Sequence, residues 1–250
     1  MTLDRSLLVR YLRQREELGE REIFLDTLTA EAALALLRGR PGRRVGGGEA
    51  TVGAAAAPRP PISRETHAPA ELVALAAEAA GCTRCRLSET RQTVVFGEGN
   101  PAAAVMVVGE APGQEEDRTG RPFVGPAGRL LDLLLMTAGF PREEVYICNV
   151  LKCRPPGNRN PLPDEIARCA AYLRRQVELI SPRVLVAVGK FAAQALLETE
   201  ASIGALRGQV HRYHGVPLVA TYHPAFLLRE PKWIRAAWED FQLVRAVLEG

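Results

Sequence analysis

The sequence predicts an α/β fold built on a parallel, doubly wound sheet, and two observations carry that expectation. Four short, valine-rich apolar runs read as strands buried on both faces: AVMVVGE (104–110), VYICNV (145–150), RVLVAVG (183–189) and VPLVATYH (216–223). Between them lie AGRLLDLLLMTAG, PDEIARCAAYLRRQVELI and KFAAQALLE, each with apolar residues at helical spacing. Strand–helix alternation of this kind implies parallel strands joined by crossover helices.

Ahead of this domain, Leu3, Leu7, Leu8, Tyr11 and Leu12 recur at helical spacing, and Thr29 is placed to cap AEAALALLR, so residues 1–38 read as a helical N-terminal extension. Residues 39–70 are rich in Gly, Ala, Pro and Arg without sustained periodicity, the composition of a flexible linker. The main domain is then expected over 71–250, ending in the helical pattern WIRAAWEDFQLVRAVLE. A length of 250 residues suits one large domain plus an appendage.

With 47% hydrophobic and 24% charged residues, the composition is that of an ordinary globular protein. The net charge of +3 does not diagnose a nucleic-acid partner; it permits one if the cations cluster. No apolar run approaches the ~20 residues of a membrane span. Charges scattered through MTLDRSLLVRYLRQREE argue against a secretory signal. The expectation is a cytoplasmic protein with no membrane partner, in a compartment that keeps cysteines reduced.

Chemistry in an open parallel sheet gathers beyond the carboxyl ends of the strands. Those ends carry Glu110, Asn149, Lys190 and His223. Polar residues commonly follow strands, but a carboxylate, an amide and an imidazole at one rim make a site the stronger reading. In GEAPGQEEDRTGRPFVGPAGRLL (109–131), small residues and Pro112 after a strand bring backbone amides close to a ligand. The segment has neither P-loop nor dinucleotide-fingerprint spacing. Glu115, Glu116 and Asp117 read as a solvated turn rather than a metal site, and Phe123, in a polar loop flanked by glycines, reads as a face for stacking a base.

Cys82 and Cys85 form a C-x-x-C pair, a weak signal alone. With Cys153 and Cys169 there are four thiols, enough for a tetrahedral zinc or an iron–sulfur cluster. The second pair lacks a tight C-x-x-C, which favours the cluster, although spacing alone leaves metal binding and packing open. Cys148 sits within an apolar strand and reads as a core residue. In HPAFLLRE (223–230), Phe226, Leu227 and Leu228 followed by Arg229 read either as an apolar wedge beside a cation or as the start of a helix.

GEAPGQEEDRTGRPFVGPAG, NVLKCRPPGNRNPLPDE and HPAFLLR, together with the four cysteines, resemble the iron–sulfur uracil-DNA glycosylases, family 4, over residues 72 to 248. The resemblance implies a three-layer α/β/α domain with a four-stranded parallel sheet. It implies a [4Fe-4S] cluster on Cys82, Cys85, Cys153 and Cys169, with Lys152 and Arg154 near the DNA backbone. Glu110 matches the motif glutamate, with Gly109 and Ala111 lining a uracil pocket. Phe123 matches the stacking aromatic, Asn149 the amide that reads uracil and His223 the motif histidine. Leu227 aligns with the leucine that fills the gap left by a flipped nucleotide, with Arg229 behind it. Relatives in the wider superfamily carry a water-activating aspartate where Ala111 stands and a thymine-excluding tyrosine where Gly113 stands.

What the resemblance implies is hydrolysis of the N-glycosidic bond of deoxyuridine in single- or double-stranded DNA. The N-terminal extension lies outside the resemblance and is expected to dock an unidentified repair or replication protein, on a chain expected to be a monomer. The rival is a non-catalytic DNA-binding or polymerase-associated module of the same fold. Glu110, Asn149 and His223 together argue against that rival, because binding alone needs none of their chemistry.

Overall fold

The structure is a computed structural model that describes residues 68–249. The predicted helical extension 1–38 and nearly all of the linker 39–70 lie outside the described residues. The first helix among the described residues, α1 (Ala68–Ala80), opens in the last residues of that linker segment.

Six strands form one mixed sheet: β1 (Glu98–Gly99), β2 (Val105–Gly109), β3 (Tyr146–Asn149), β4 (Val184–Val188), β5 (Val210–Tyr213) and β6 (Val216–Thr221). Their order is β1-β3-β2-β4-β6-β5. The inner four, β3-β2-β4-β6, are parallel, and the two edge strands are antiparallel to their neighbours. The expectation of a four-stranded parallel sheet therefore holds for the centre and fails at the edges. β1, with two residues, is too short to show any periodicity. β5 reads VHRY and alternates between exposed and half-buried positions, so it lacks the continuous apolar character of a central strand. A tight turn folds it onto β6: His214 and Gly215 both have positive φ, 45° and 85°, the geometry of a type I′ hairpin.

Alternate residues of the inner strands enter two separate cores. Met106, Val108, Tyr146, Cys148, Leu185, Ala187, Leu218 and Ala220 face one layer of helices. That layer is α1, α4 (Pro163–Ile180) and α5 (Lys190–Leu197), contributing Leu72, Val177 and Leu196 among others. Val105, Val107, Ile147, Val184, Val186, Val188 and Val219 face the opposite layer. There α3 (Pro126–Thr137) supplies Leu131 and Leu135, and α8 (Ile234–Glu249) supplies Phe241 and Val244. Three short α-helices complete the set among the described residues: α2 (Gln114–Thr119), α6 (Ile203–Leu206) and α7 (Pro224–Arg229). Cys148 is fully buried in the first core, as its place in an apolar strand predicts.

The loop from β3 to α4 is pinned by a buried carboxylate. Glu165, in the first turn of α4, accepts the Leu162 backbone N–H at 2.9 Å, half of a capping box to which leucine offers nothing in return. Its two oxygens also take a forked pair from Arg159, Nη1 to Oε2 at 2.9 Å and Nη2 to Oε1 at 2.6 Å. The Arg159 guanidinium holds the Glu165 carboxyl below the usual carboxylate range. Because the folded state favours the ionised form, this contribution is complete above the ordinary carboxylate pKa and fades as pH falls through the lowered one. Glu165→Ala is expected to cost about 2 kcal/mol near neutral pH, the sum of a cap and a charged hydrogen bond. Urea unfolding midpoints measure it, and the gap between parent and variant should close in acid.

Candidate active site

The carboxyl ends of the four parallel strands open into a cleft of about 590 Å³. Its lining includes Glu110 and Ala111 after β2, Asn149 at the end of β3, Lys190 after β4 and His223 after β6. Residues separated by more than a hundred positions meet because parallel strands end on one edge. Register does the fine placement: Gly109 lies directly beside Asn149.

Phe123 is buried and holds a positive φ of 51°, a conformation that costs a bulky side chain energy unless its surroundings enforce it. Both flanking peptides are gripped by charge. Arg142 donates to the carbonyls of Pro122 (2.6 Å) and Phe123 (3.3 Å), and is itself held by Glu98 (2.7 Å) and Asp132 (2.6 Å). Glu116 accepts the N–H groups of Val124 (2.9 Å) and Gly125 (3.1 Å). Two glycines make the room. A Cβ on Gly109 would stand 2.5 Å from Phe123 Cζ, and one on Gly128 would run into the Phe123 carbonyl. The ring therefore lies across the end of β2, its centroid 5.9 Å from that of His223.

Asn149 is 2% exposed, and its Oδ1 is buried without a hydrogen-bond partner among the described residues. Buried acceptors are nearly always satisfied, so an orphan facing a cleft marks a place where a ligand supplies the donor. His223 is the N-cap of α7, and its Nδ1 accepts the backbone N–H of Ala225 at 3.1 Å. The neutral ring must then carry its proton on Nε2. Burial, reinforced by the charge of Arg229, pushes its pKa down to about 4, so the ring is neutral at physiological pH. Glu110 moves the other way, because burial alone raises its carboxyl to about 7. Its side chain has no ion-pair or hydrogen-bond partner among the described residues. The cleft thus holds a stacking ring, an unsatisfied amide, a neutral N–H donor and a carboxylate poised near neutrality.

The sequence-predicted residues divide here. Gly109, Glu110, Ala111, Phe123, Asn149 and His223 come together at the rim. Arg229 is exposed at the mouth, and half-buried Arg154 donates to Asn158 Oδ1 at 2.7 Å in the loop that forms one wall. Two expectations are corrected. Lys152 does not face a DNA backbone: it is 2% exposed, and its ammonium is consumed by the Asn149 carbonyl and Gln176 Oε1. Leu227 is not a free wedge, since it is fully buried under α3 and α8, whereas Leu228 beside it is 49% exposed. The helical period turns one leucine inward and the next outward.

The acidic run 115–117 is not a uniformly solvated turn. Glu115 is exposed and pairs with Arg118, but Asp117 is buried and accepts the N–H groups of Gln92 and Thr93. Glu116 sits against the cleft, where its Oε2 lies 2.7 Å from the position of a Cβ on Gly113. Arg142 and Glu116 are the site residues that sequence reasoning missed. The only signal was their proximity to Phe123 in the fold, which no linear pattern carries.

Cys82, Cys85, Cys153 and Cys169 all line one small cavity beside α1 and α4, and all are free thiols. Sulfur acceptors there receive N–H donors: Lys152 N to Cys169 Sγ at 3.3 Å and Arg91 Nη1 to Cys153 Sγ at 3.5 Å. Among the described residues, no group of three or more His, Cys, Asp or Glu is arranged to hold a single metal ion. Nor does any helix among them have the length and apolarity to cross a membrane.

Comparison with known proteins gives the family. The sequence model of the uracil DNA glycosylase superfamily matches residues 96–242. A type-4 uracil-DNA glycosylase of Thermotoga maritima is 49% identical over 150 residues, 59% of this chain and 78% of that protein. One from Archaeoglobus fulgidus is 44% identical over 175 residues, 67% of this chain and 88% of the relative. A third, from Sulfurisphaera tokodaii, is 42% identical over 177 residues, covering 67% and 80%. With the rim chemistry and these extents of similarity together, the chain belongs to the uracil DNA glycosylase superfamily and, within it, to the type-4 glycosylases.

Proposed function

We propose that this protein is a uracil-DNA glycosylase that flips deoxyuridine out of DNA and hydrolyses its N-glycosidic bond, leaving an abasic site. The observation that carries the reading is the buried, unpaired Oδ1 of Asn149, facing a cleft that also holds Phe123, His223 and Glu110. Uracil presents an acceptor at O4 and a donor at N3. The Asn149 amide complements both, with Nδ2 donating to O4 and Oδ1 receiving N3–H. Cytosine reverses the pattern and would leave the buried groups unsatisfied, at about 1–3 kcal/mol for each.

The extruded base stacks on Phe123. As the glycosidic bond breaks, the sugar becomes cationic and the uracil anionic. The Nε2–H of the neutral His223 donates to O2, where negative charge develops, and so acts chiefly in the transition state. Ionised Glu110 stabilises the sugar cation or orients the attacking water; the water oxygen bonds to C1′ as the bond to uracil N1 breaks, and its proton passes to the carboxylate or to the departing uracil anion. The Glu116 carboxylate occupies the space that a side chain on residue 113 would fill, and so closes the pocket against a base with a 5-methyl group. Arg229 and Arg154 contact phosphates at the mouth. With Leu227 buried, Leu228 is the apolar side chain free to enter the base stack.

The four cysteines fit a [4Fe-4S] cluster. They share one cavity, and two of them, Cys153 and Cys169, receive N–H donors at sulfur, as cluster-ligating thiolates can. Burial raises the Cys153 thiol to about 11, and a bound metal would favour its thiolate. When bound, the cluster supplies cross-linking of α1, the β3–α4 loop and α4 rather than chemistry at the sugar.

The direct test is an oligonucleotide with one uracil, incubated with the protein and then treated with alkali; strand scission at the uracil is expected, and intact DNA at high protein excess would leave only a binding module. Asn149→Ala should lose most uracil excision in single turnover while DNA affinity changes little, and an unchanged rate would mean that another residue reads the base. The pH dependence follows from Glu110. Its carboxylate form is needed, so kcat/KM should rise with pH to a plateau beyond about 7. Glu110→Gln should be slower and flat across that range, and an acid limb that survives this substitution would assign the titration elsewhere. Finally, protein purified without oxygen should carry roughly four irons and a broad visible absorption. Cys153→Ser should lose both, and Cys148→Ser should keep both; stoichiometric zinc without iron would rule the cluster out.

A further inference from the structure

We infer that Lys152 is a positioning residue of the base-reading site, a buried cation that holds the Asn149 peptide in place while its own backbone ties that segment to the cysteine cage. The inference rests on the reading of Asn149 given above.

Lysine is seldom buried without a partner of opposite charge, because its ammonium loses hydration that neutral acceptors replace poorly. Lys152 is among the largest fully enclosed side chains of the protein, and no carboxylate among the described residues pairs with it. Its Nζ donates instead to the Asn149 carbonyl at 2.7 Å and to Gln176 Oε1 at 2.5 Å, with the Phe96 ring 5.8 Å away. A cation kept at that cost answers to a specific demand.

The demand is visible at the end of β3. The Val150 N–H donates to the Gly109 carbonyl at 2.8 Å, so the trans Asn149–Val150 peptide turns its carbonyl away from β2. No ladder partner among the described residues meets that carbonyl, because β1 pairs with residues 146 and 147 and stops there. Lys152 Nζ meets it, and the peptide is gripped from both sides. Releasing the carbonyl would let the peptide rotate and swing the Asn149 side chain that it carries.

Gln176 in α4 fixes the lysine in turn. Its Nε2 donates to the Phe96 carbonyl at 2.9 Å and to Tyr146 Oη at 3.2 Å. A carbonyl can only accept, so the amide orientation is determined and Oε1 must face Lys152. The backbone N–H of Lys152 donates to Cys169 Sγ, also in α4. One residue therefore joins the base reader to the helix that carries a cage thiol.

The test is a double-mutant cycle on single-turnover uracil excision, with Lys152→Met made in the parent and in Asn149→Ala. In the parent, Lys152→Met should slow excision on the order of 10²-fold, the scale of an ångström of misplacement. Affinity for abasic DNA and the visible absorption per chain should stay unchanged. In the Asn149→Ala background it should add no further loss, since residues acting as one unit are not additive. Losses that multiply in the double variant, a parental rate in Lys152→Met, or loss of the absorption would overturn the inference. If Lys152→Met does not fold, Gln176→Met in the same cycle carries the same two outcomes. A parent protein that releases no uracil would reject the glycosylase reading, and the inference with it.

Discussion

The site depends on the parallel register of β3, β2, β4 and β6. Side chains along each inner strand enter two different cores in strict alternation, valine-rich on one face and mixed on the other. A slip of one residue would exchange the two sets and place Leu185 or Met106 where valines now pack against α3 and α8. The same register sets Gly109 beside Asn149 and brings the turn after β6 against the turn after β4, where His223 packs over Gly189. Side chains that never approach one another in the chain are thereby held on rigid strand ends, to the accuracy that recognition of a planar base requires.

Burial at that rim moves two titratable groups in opposite directions. Desolvation penalises whichever form carries charge, so it raises the Glu110 carboxyl and lowers the His223 imidazole. Neither is held in an ion pair among the described residues. An ion pair between them would have fixed both in their charged forms. The Ala225 N–H adds the tautomer, directing the remaining imidazole proton to Nε2. Backbone geometry and dielectric together set the protonation of each group.

Permanent charge is placed one layer further out, where it holds backbone. Arg142 and Glu116 clamp the two peptides around Phe123, Glu165 clamps the β3–α4 loop through Arg159 and Leu162, and Lys152 reaches the Asn149 carbonyl. Each is a charged group bonded to main-chain atoms that would otherwise be unsatisfied or strained. Such bonds are stronger than neutral ones and need only one side chain to order a turn. A cleft built mostly from loops acquires the stiffness of the sheet beneath it.

The amino-acid pattern by itself determined the fold class, the four inner strands and the large helices: PDEIARCAAYLRRQVELI coincides with α4, and VPLVATYH contains β6. Hydrophobic periodicity is a local property, so it survives in the linear sequence. The motif residues Glu110, Phe123, Asn149 and His223 were legible for a related reason, because each follows or flanks an element whose end can be read. The edge strands were not legible, since a strand paired on one side needs no continuous apolar run. Tertiary structure alone decided that Lys152 points inward and that Leu227 is buried while Leu228 is exposed. A lysine that with Arg154 flanks Cys153 looks like a phosphate ligand until the position of Gln176, twenty-four residues from it, is known. It also decided that Glu116 and Arg142 serve Phe123, because hydrogen bonds to main-chain carbonyls and amides leave no trace in the identity of the residue that receives them.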